Sequence, residues 1–308
     1  MIRSGQALRR QFQYALIFTL LLFIQLMPRG WGLGLSRILS RLAWRLLPRE
    51  RAKVLFNLRL IFPDRGDHLA MGLRVFEMMG LNAVDAVRLP RLEGKQLEEL
   101  VEVRGLEHFD RAYHKGKGIV AVTGHIGCWE LMPAWFAQRG YGISVIGRRV
   151  YDPRLDRLLN SARARWGVRV IDRDEGARES LGALRRGQAL GILIDQDTRV
   201  SSVEVAFFGR KAKTPTGAAA LARKTGAAVI PLAIRRLESG RHRLTVLPEI
   251  ALSHTAGKAD RLAEDVQAQT EAVESLVGLD IAQWAWMHLR WTEKPDKQGQ
   301  GERDKGKW

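Results

Sequence analysis

The chain has 308 residues, 46% hydrophobic and 27% charged, which is enough to bury a full core in one large or two small domains. A single cysteine excludes an internal disulfide framework and fits a reducing compartment. No Cys/His cluster has zinc-site spacing, there is no Walker loop or GxGxxG phosphate fingerprint, and a net charge of +17 points to an anionic partner: nucleic acid, a lipid surface or an acidic protein.

The distribution of that charge narrows the choice. Residues 1–60 hold eleven Arg or Lys against one acid, Glu50, so a surplus of ten lies beside the most apolar run in the chain. Membrane-surface proteins combine the two; nucleic-acid binders rarely do, and no strand pair here interleaves aromatic with basic residues. The run starts at Tyr14 and continues to Met27, after Arg3, Arg9 and Arg10, with no small-x-small cleavage site behind it. At about 14 residues it is short of the ~20 that span a bilayer, so it reads as an uncleaved anchor, either a marginal span or a helix dipping into one leaflet. Basic residues are denser after it than before, which favours a cytoplasmic body. From Trp31 to Leu47, Arg37, Arg41 and Arg45 recur every four residues among Leu35, Ile38, Leu39, Leu42, Trp44 and Leu46. That pattern suits a helix lying in the membrane interface; a core helix with one solvated face is the plainer alternative.

Arg49–Pro63 and His68–Leu89 read as two more helices. From Val101 the pattern alternates, with strands at Val101–Val103, Ile119–Thr123, Ile143–Ile146, Val168–Ile171 and Leu190–Ile194 and helices such as Pro153–Trp166 and Ala177–Arg186 between them. Later come a strand at Val203–Phe208, a helix at Thr216–Lys224, strands at Val229–Arg235 and Arg243–Leu247, a long polar helix from Ala259 to Val277 and a short aromatic one from Ile281 to Trp291. The expected class is α/β, a mainly parallel or mixed sheet flanked by helices, behind an N-terminal hydrophobic membrane-anchoring helix. The expected divisions are an anchor and basic amphipathic helix over 1–47, a catalytic domain over 48–293, and a disordered charged tail over 294–308.

The chain is organised around Gly118-Ile-Val-Ala-Val-Thr-Gly-His125-Ile-Gly-Cys-Trp-Glu130. A buried strand breaks at Gly124, shows a histidine at its end and runs through Gly127 toward a helix, where open α/β sheets carry their chemistry. His125 and Glu130 are five apart, so one continuous helix would spread them by about 140°. With His125 on the turn and Glu130 in the first helical turn, the side chains can meet. The carboxylate would then fix the tautomer and leave the other ring nitrogen as a general base. A chance pairing is the plainer reading. Cys128 invites a nucleophile reading, but nothing suggests a lowered thiol pKa, and a small buried filler accounts for it.

Several segments in order resemble a known family. Thr123-Gly-His-Ile-Gly-Cys-Trp-Glu130 is similar to the H-x4-D/E motif of glycerolipid acyltransferases, in the H-x-G-x-W-E form of the bacterial lipid A late (secondary) acyltransferases. Arg51 through Asn57 to Phe62-Pro63, Ile194-Asp195-Gln196-Asp197, Phe207-Phe208-Gly209 through Lys213-Thr214-Pro215-Thr216-Gly217, and Trp284-Ala-Trp286-Met287-His288-Leu-Arg290 resemble its further motifs. Cys128 stands where asparagine is usual, and the residue after Asp197 departs from the commoner glycine version.

The resemblance implies transfer of a fatty acyl chain, usually from acyl carrier protein, to a hydroxyl of a membrane glycolipid. In the best-known members that glycolipid is a lipid A precursor at the cytoplasmic face of the inner membrane. His125 is then the general base and Glu130 its orienting partner, with no acyl-enzyme, cofactor or metal required. Backbone N–H groups of Gly127 and Cys128 are the expected oxyanion donors. Arg163, in a basic helix, is expected to hold a phosphate or the oxyanion. Asp195 and Asp197 are expected to position the acceptor, a strand-end cap being the alternative, and Lys213 and Thr214 to line the phosphate end of the pocket. Trp286, His288 and Arg290 are read as packing the last helix against the sheet. A different lipid acceptor, a hydrolase using His125, and a membrane-tethered nucleic-acid binder are the competing readings.

Overall fold

A computed structural model of the chain describes residues 2–197, 200–254, 257–291 and 293. Four helices come first: α1 (Ile2–Leu26), α2 (Arg29–Leu46), α3 (Pro48–Ile61) and α4 (His68–Arg88). The alternating part follows as α5 (Gly94–Leu100), β1 (Val101–Arg104), α6 (Leu106–His114), β2 (Ile119–Thr123), α7 (Leu131–Gln138), β3 (Ile143–Gly147), α8 (Pro153–Arg165), β4 (Arg169–Asp172), α9 (Ala177–Arg185) and β5 (Ala189–Leu193). A hairpin of β6 (Ser202–Phe207) and β7 (Arg210–Pro215) leads to α10 (Gly217–Thr225), β8 (Ala228–Arg236), β9 (His242–Val246) and α11 (Lys258–Gly278).

Seven strands form one sheet in the order β1-β9-β8-β2-β5-β3-β4. Every neighbouring pair is parallel except β8 and β9. Alternation in β2 explains its burial on both faces. Val120 and Val122 enter one apolar cluster with α4, α9, α10 and α11, while Ile119 and Ala121 enter the other with α6 and α7. The connection leaving β2 runs through α7 on one face; that leaving β5 runs through α10 on the other. Adjacent strands whose connections part in this way leave a crevice at their carboxyl ends. His125 follows β2 there, and Asp195 follows β5.

The N-terminal helix is longer than its apolar run. α1 has 25 residues, yet among the described residues no helix is long and apolar enough to cross a membrane. α2 packs on α4 through Gly32, Ser36 and Ser40, a small-residue face that lets the helices approach closely, since a Cβ at Gly80 would meet both serine hydroxyls. Its large apolar residues point outward: Trp31 is 76% exposed, Ile38 and Leu46 66% each. The α1–α2 corner is tied to the sheet by buried charge. Arg29 Nε and Nη2 donate to Asp85 at 2.7 and 2.8 Å, and the same carboxylate accepts from Arg236 and from His242 Nε2. Burial alone would raise the Asp85 pKa, but these donors hold it well below the usual carboxylate range.

The expected aromatic helix over Ile281–Trp291 is a single 3-10 turn, Ile281–Gln283, followed by irregular chain that turns again at 286–288. That course lets three indoles bury side by side with their N–H groups satisfied, Trp284 on Asp195, Trp286 on the Ile281 carbonyl and Trp291 on the Phe207 carbonyl. A helix would have dispersed them around its circumference. The expected tail over 294–308 lies outside the described residues.

Candidate active site

His125 stands on the turn after β2, at the mouth of a cavity of about 210 Å³. The cavity runs between the sheet and α7. Its sheet wall is Ala121, Thr123, Ala189, Gly191, Leu193, Ile143 and Val145; Met132, Pro133 and Phe136 of α7 and Phe109 of α6 close it. Small residues at adjacent registers make the room, since Ala121 pairs with Gly191 and Ile119 with Ala189 across β2 and β5. Polar groups gather at one end: His125, Glu130, Arg148 and Arg163.

The orienting carboxylate of His125 is Asp195. Imidazole Nδ1–H donates to Oδ1 of Asp195 at 2.8 Å, while the His125 backbone N–H and the Trp284 indole N–H both reach Oδ2 at 2.7 Å. Asp195 is 2% exposed, and Gly124 admits it, since a Cβ there would stand 2.9 Å from Oδ2. With Nδ1 committed, Nε2 carries the lone pair toward the cavity. Burial opposes the charged imidazole, but the charge and hydrogen bond of Asp195, with a lesser push from Glu130, lift the His125 pKa above 6.5. The Asp195 pKa lies below its ordinary 3.8, because His125 and three donors outweigh burial.

Glu130 does something else. Its two oxygens take Arg163 Nε at 2.9 Å and Nη2 at 2.6 Å, a bidentate pair whose side chains are 16% and 15% exposed. The expected hydrogen bond of His125 to Glu130 is therefore replaced by one that His125 donates to Asp195, and Glu130 acts on the imidazole only through its charge. The reason is conformational. Gly127 turns the chain at φ +59°, so residues 125–130 form a compact turn and α7 starts at Leu131 with Glu130 as its cap. Glu130 thus faces α8, where Arg163 waits.

The oxyanion assignment is also corrected. The Gly127 N–H donates to the Gln283 carbonyl at 2.8 Å, and its lack of a Cβ is needed for close approach to the Ile234 carbonyl. Cys128 is 2% exposed, turns its Sγ to the Asn82 carbonyl, and burial pushes its thiol pKa well up; it is filler, as expected. Neither residue lines the cavity. Lys213 and Thr214 lie on β7 outside it, where Thr214, fully buried, accepts a hydrogen bond from Arg290. Asp197 is exposed beyond β5 and also off the cavity wall.

His288, read as packing, and Gln196, for which no role is expected from sequence, both lie beside His125. The Gln196 amide nitrogen lies 3.0 Å from His125 Nδ1 and 2.6 Å from His288 Nε2, and the His125 and His288 rings are 6.0 Å apart. Burial, and then the charge of His125, lower the His288 pKa. Asn57 Nδ2 on α3 anchors this segment through the carbonyls of Trp286 and His288. Sequence spacing gave no signal for this contact, which joins residues 71 to 92 positions apart. Among the described residues no group of three His, Cys, Asp or Glu side chains converges as metal ligands would.

A mainly parallel α/β sheet thus carries a carboxylate-oriented histidine at the mouth of an apolar slot. The chain is a member of the bacterial lipid A biosynthesis acyltransferase family, whose model matches residues 3–293. It is 29% identical over 272 residues to a lipid A biosynthesis lauroyltransferase of Escherichia coli K12, covering 87% of this chain and 85% of that one. It is 26% identical over 266 residues to that organism's lipid A biosynthesis myristoyltransferase, covering 83% and 80%. A phosphatidylinositol mannoside acyltransferase of Mycolicibacterium smegmatis is 26% identical over 215 residues, 67% of each chain. The protein is an acyltransferase.

Proposed function

We propose that the protein moves a fatty acyl chain from a carrier-bound thioester, acyl carrier protein being the favoured donor, to a hydroxyl of a lipid A precursor. The observation that carries this reading is a base-competent imidazole at the open end of an apolar slot. The acyl chain occupies the slot, where each buried methylene contributes about 0.8 kcal/mol. A solvent-exposed ion pair to a headgroup contributes only about 0–1 kcal/mol, so the chain dominates donor affinity. The acceptor hydroxyl gives its proton to His125 Nε2 as its oxygen attacks the thioester carbonyl. Asp195 steadies the imidazolium that forms. Arg163 has Nε and Nη2 on Glu130, which leaves Nη1 to meet the oxyanion. Collapse of the tetrahedral adduct expels a thiolate, and no acyl-enzyme is formed.

Membrane attachment belongs to the same proposal. The outward apolar residues of α2, with Arg37 and Arg45 among them, suit a helix lying at the lipid surface, and the exposed Phe12, Leu16 and Phe23 of α1 extend that surface. On this reading the catalytic domain lies at the cytoplasmic face of the inner membrane, where carrier-bound thioesters are available. A second acceptor, a glycosylated phosphatidylinositol, is favoured by the mannoside acyltransferase relative alone. Lipid mass spectrometry of a deletion strain separates the two: lipid A one acyl chain short, restored by the wild-type gene and not by His125→Ala, is the expected result. Fully acylated lipid A in the deletion strain overturns the first acceptor.

A further inference from the structure

Beside the cavity that His125 lines, between β3, β4 and α8, lies a second pocket of about 380 Å³ with mixed polar and apolar walls. Gly147 and Arg148 line both spaces, so the two meet at the mouth where His125 and Arg163 stand. A Cβ at Gly147 would come within 3.2 Å of Val170 Cγ1 and 3.5 Å of Arg163 Nη1, so the glycine keeps that shared wall thin.

The pocket holds Arg148, Arg149 and Arg169 together with Asp156 and Asp172. Both acids are occupied. Asp156 accepts the Val150 N–H and the Asn160 amide, and Asp172 accepts the N–H groups of Asp174 and Glu175 and the Arg149 guanidinium. Arg169 is paired with Glu179, and Arg149 also reaches Glu175. Arg148 is exposed and, among the described residues, has no hydrogen-bond or ion-pair partner. A guanidinium with its whole fork free, one residue from the catalytic mouth, matches a planar or tetrahedral oxyanion rather than a neutral group.

We propose that this pocket is a phosphate-ester subsite, with Arg148 as its anchor, for the carrier arm of the acyl donor. The inference rests on the acyltransfer reading. With the acyl chain in the slot and the thioester at His125, the rest of the donor must leave through the mouth. A pantetheine arm ends in a phosphate ester whether a protein or a nucleotide carries it. A phosphorylated acceptor headgroup offers the same chemistry. The donor is favoured because the pocket adjoins the acyl slot.

The test compares purified full-length protein on dodecanoyl-4′-phosphopantetheine and dodecanoyl-pantetheine, which differ by one phosphate, with one acceptor throughout. Wild type is expected to favour the phosphorylated donor by about tenfold in kcat/KM, mostly through KM. Arg148→Gln brings the ratio close to one, Arg148→Glu inverts it, and Arg148→Lys keeps part of it. An unchanged ratio in Arg148→Gln overturns the subsite. A loss that follows removal of phosphate from the acceptor instead of the donor overturns its assignment to the donor. Wild-type protein that transfers from neither thioester, nor from dodecanoyl-acyl carrier protein, takes down the acyltransfer reading and this inference with it.

Discussion

Two carboxylates flank the catalytic mouth, one on the turn after β2 and one after β5, and they are held in opposite ways. Glu130 lies half-buried against a guanidinium, so its charge is matched before the imidazole feels it. Asp195 is sealed from solvent and has an imidazole, an amide and an indole as its donors, so its charge is matched mainly by whatever proton His125 carries. In a low-dielectric setting the second arrangement couples strongly to the protonation state of the base, and the first serves to fix an arginine. A carboxylate's neighbour in sequence is thus a poor guide to its partner in space.

Substitutions can break this contrast. The largest effect is expected for Asp195→Asn, a fall of about 10²–10⁴ in kcat, because an amide in place of the carboxylate favours the wrong tautomer and no longer offsets the imidazolium. Its pH profile is as informative as its rate. In the proposed mechanism His125 works when neutral, and its pKa is raised, so kcat/KM should fall on the acid side with a midpoint above 6.5. Loss of the Asp195 charge lowers that pKa, and the acid limb should shift to lower pH. Glu130→Gln is expected to cost less, about tenfold to a hundredfold, by loosening Arg163, and to leave the acid limb nearly in place. Equal shifts of the limb in the two variants, measured by steady-state kinetics from pH 5 to 9, would mean that the two carboxylates are interchangeable. The smallest effect belongs to Gln196→Leu and His288→Ala, about threefold to tenfold in kcat/KM, the worth of roughly one hydrogen bond. Ring nitrogen chemical shifts of His125 in those variants would report any change of tautomer.

Most of the sheet was legible before its coordinates, because runs such as Ile119–Thr123 and Leu190–Ile194 are β-branched and bounded by glycine or acid. So was the break of β2 into a turn that carries His125. The partnership of His125 was not, since spacing reports local geometry and Asp195 comes from a strand 70 residues away. Gly127 explains the miss: its left-handed φ re-aims everything that follows, and Glu130 with it. The aromatic C-terminal segment misled for a related reason. Its tryptophans read as a helical stripe, but each indole N–H found an acceptor at a different place, and irregular chain that turns at 286–288 brings all three to them. The hairpin strand β7 carries alternating Lys and small residues rather than apolar ones, and burial of Ala212 and Thr214 on one face alone defines it.

The buried knot of Arg29, Arg236 and His242 on Asp85 has a consequence for how such an enzyme meets a bilayer. It leaves no slack between the corner of the first two helices and the central strands. If those helices float at the lipid surface, the catalytic imidazole rides above it at one set altitude, like a stylus on a rigid arm. Only acceptor hydroxyls that surface at that altitude are within reach, so selectivity among them would come from depth as well as from shape.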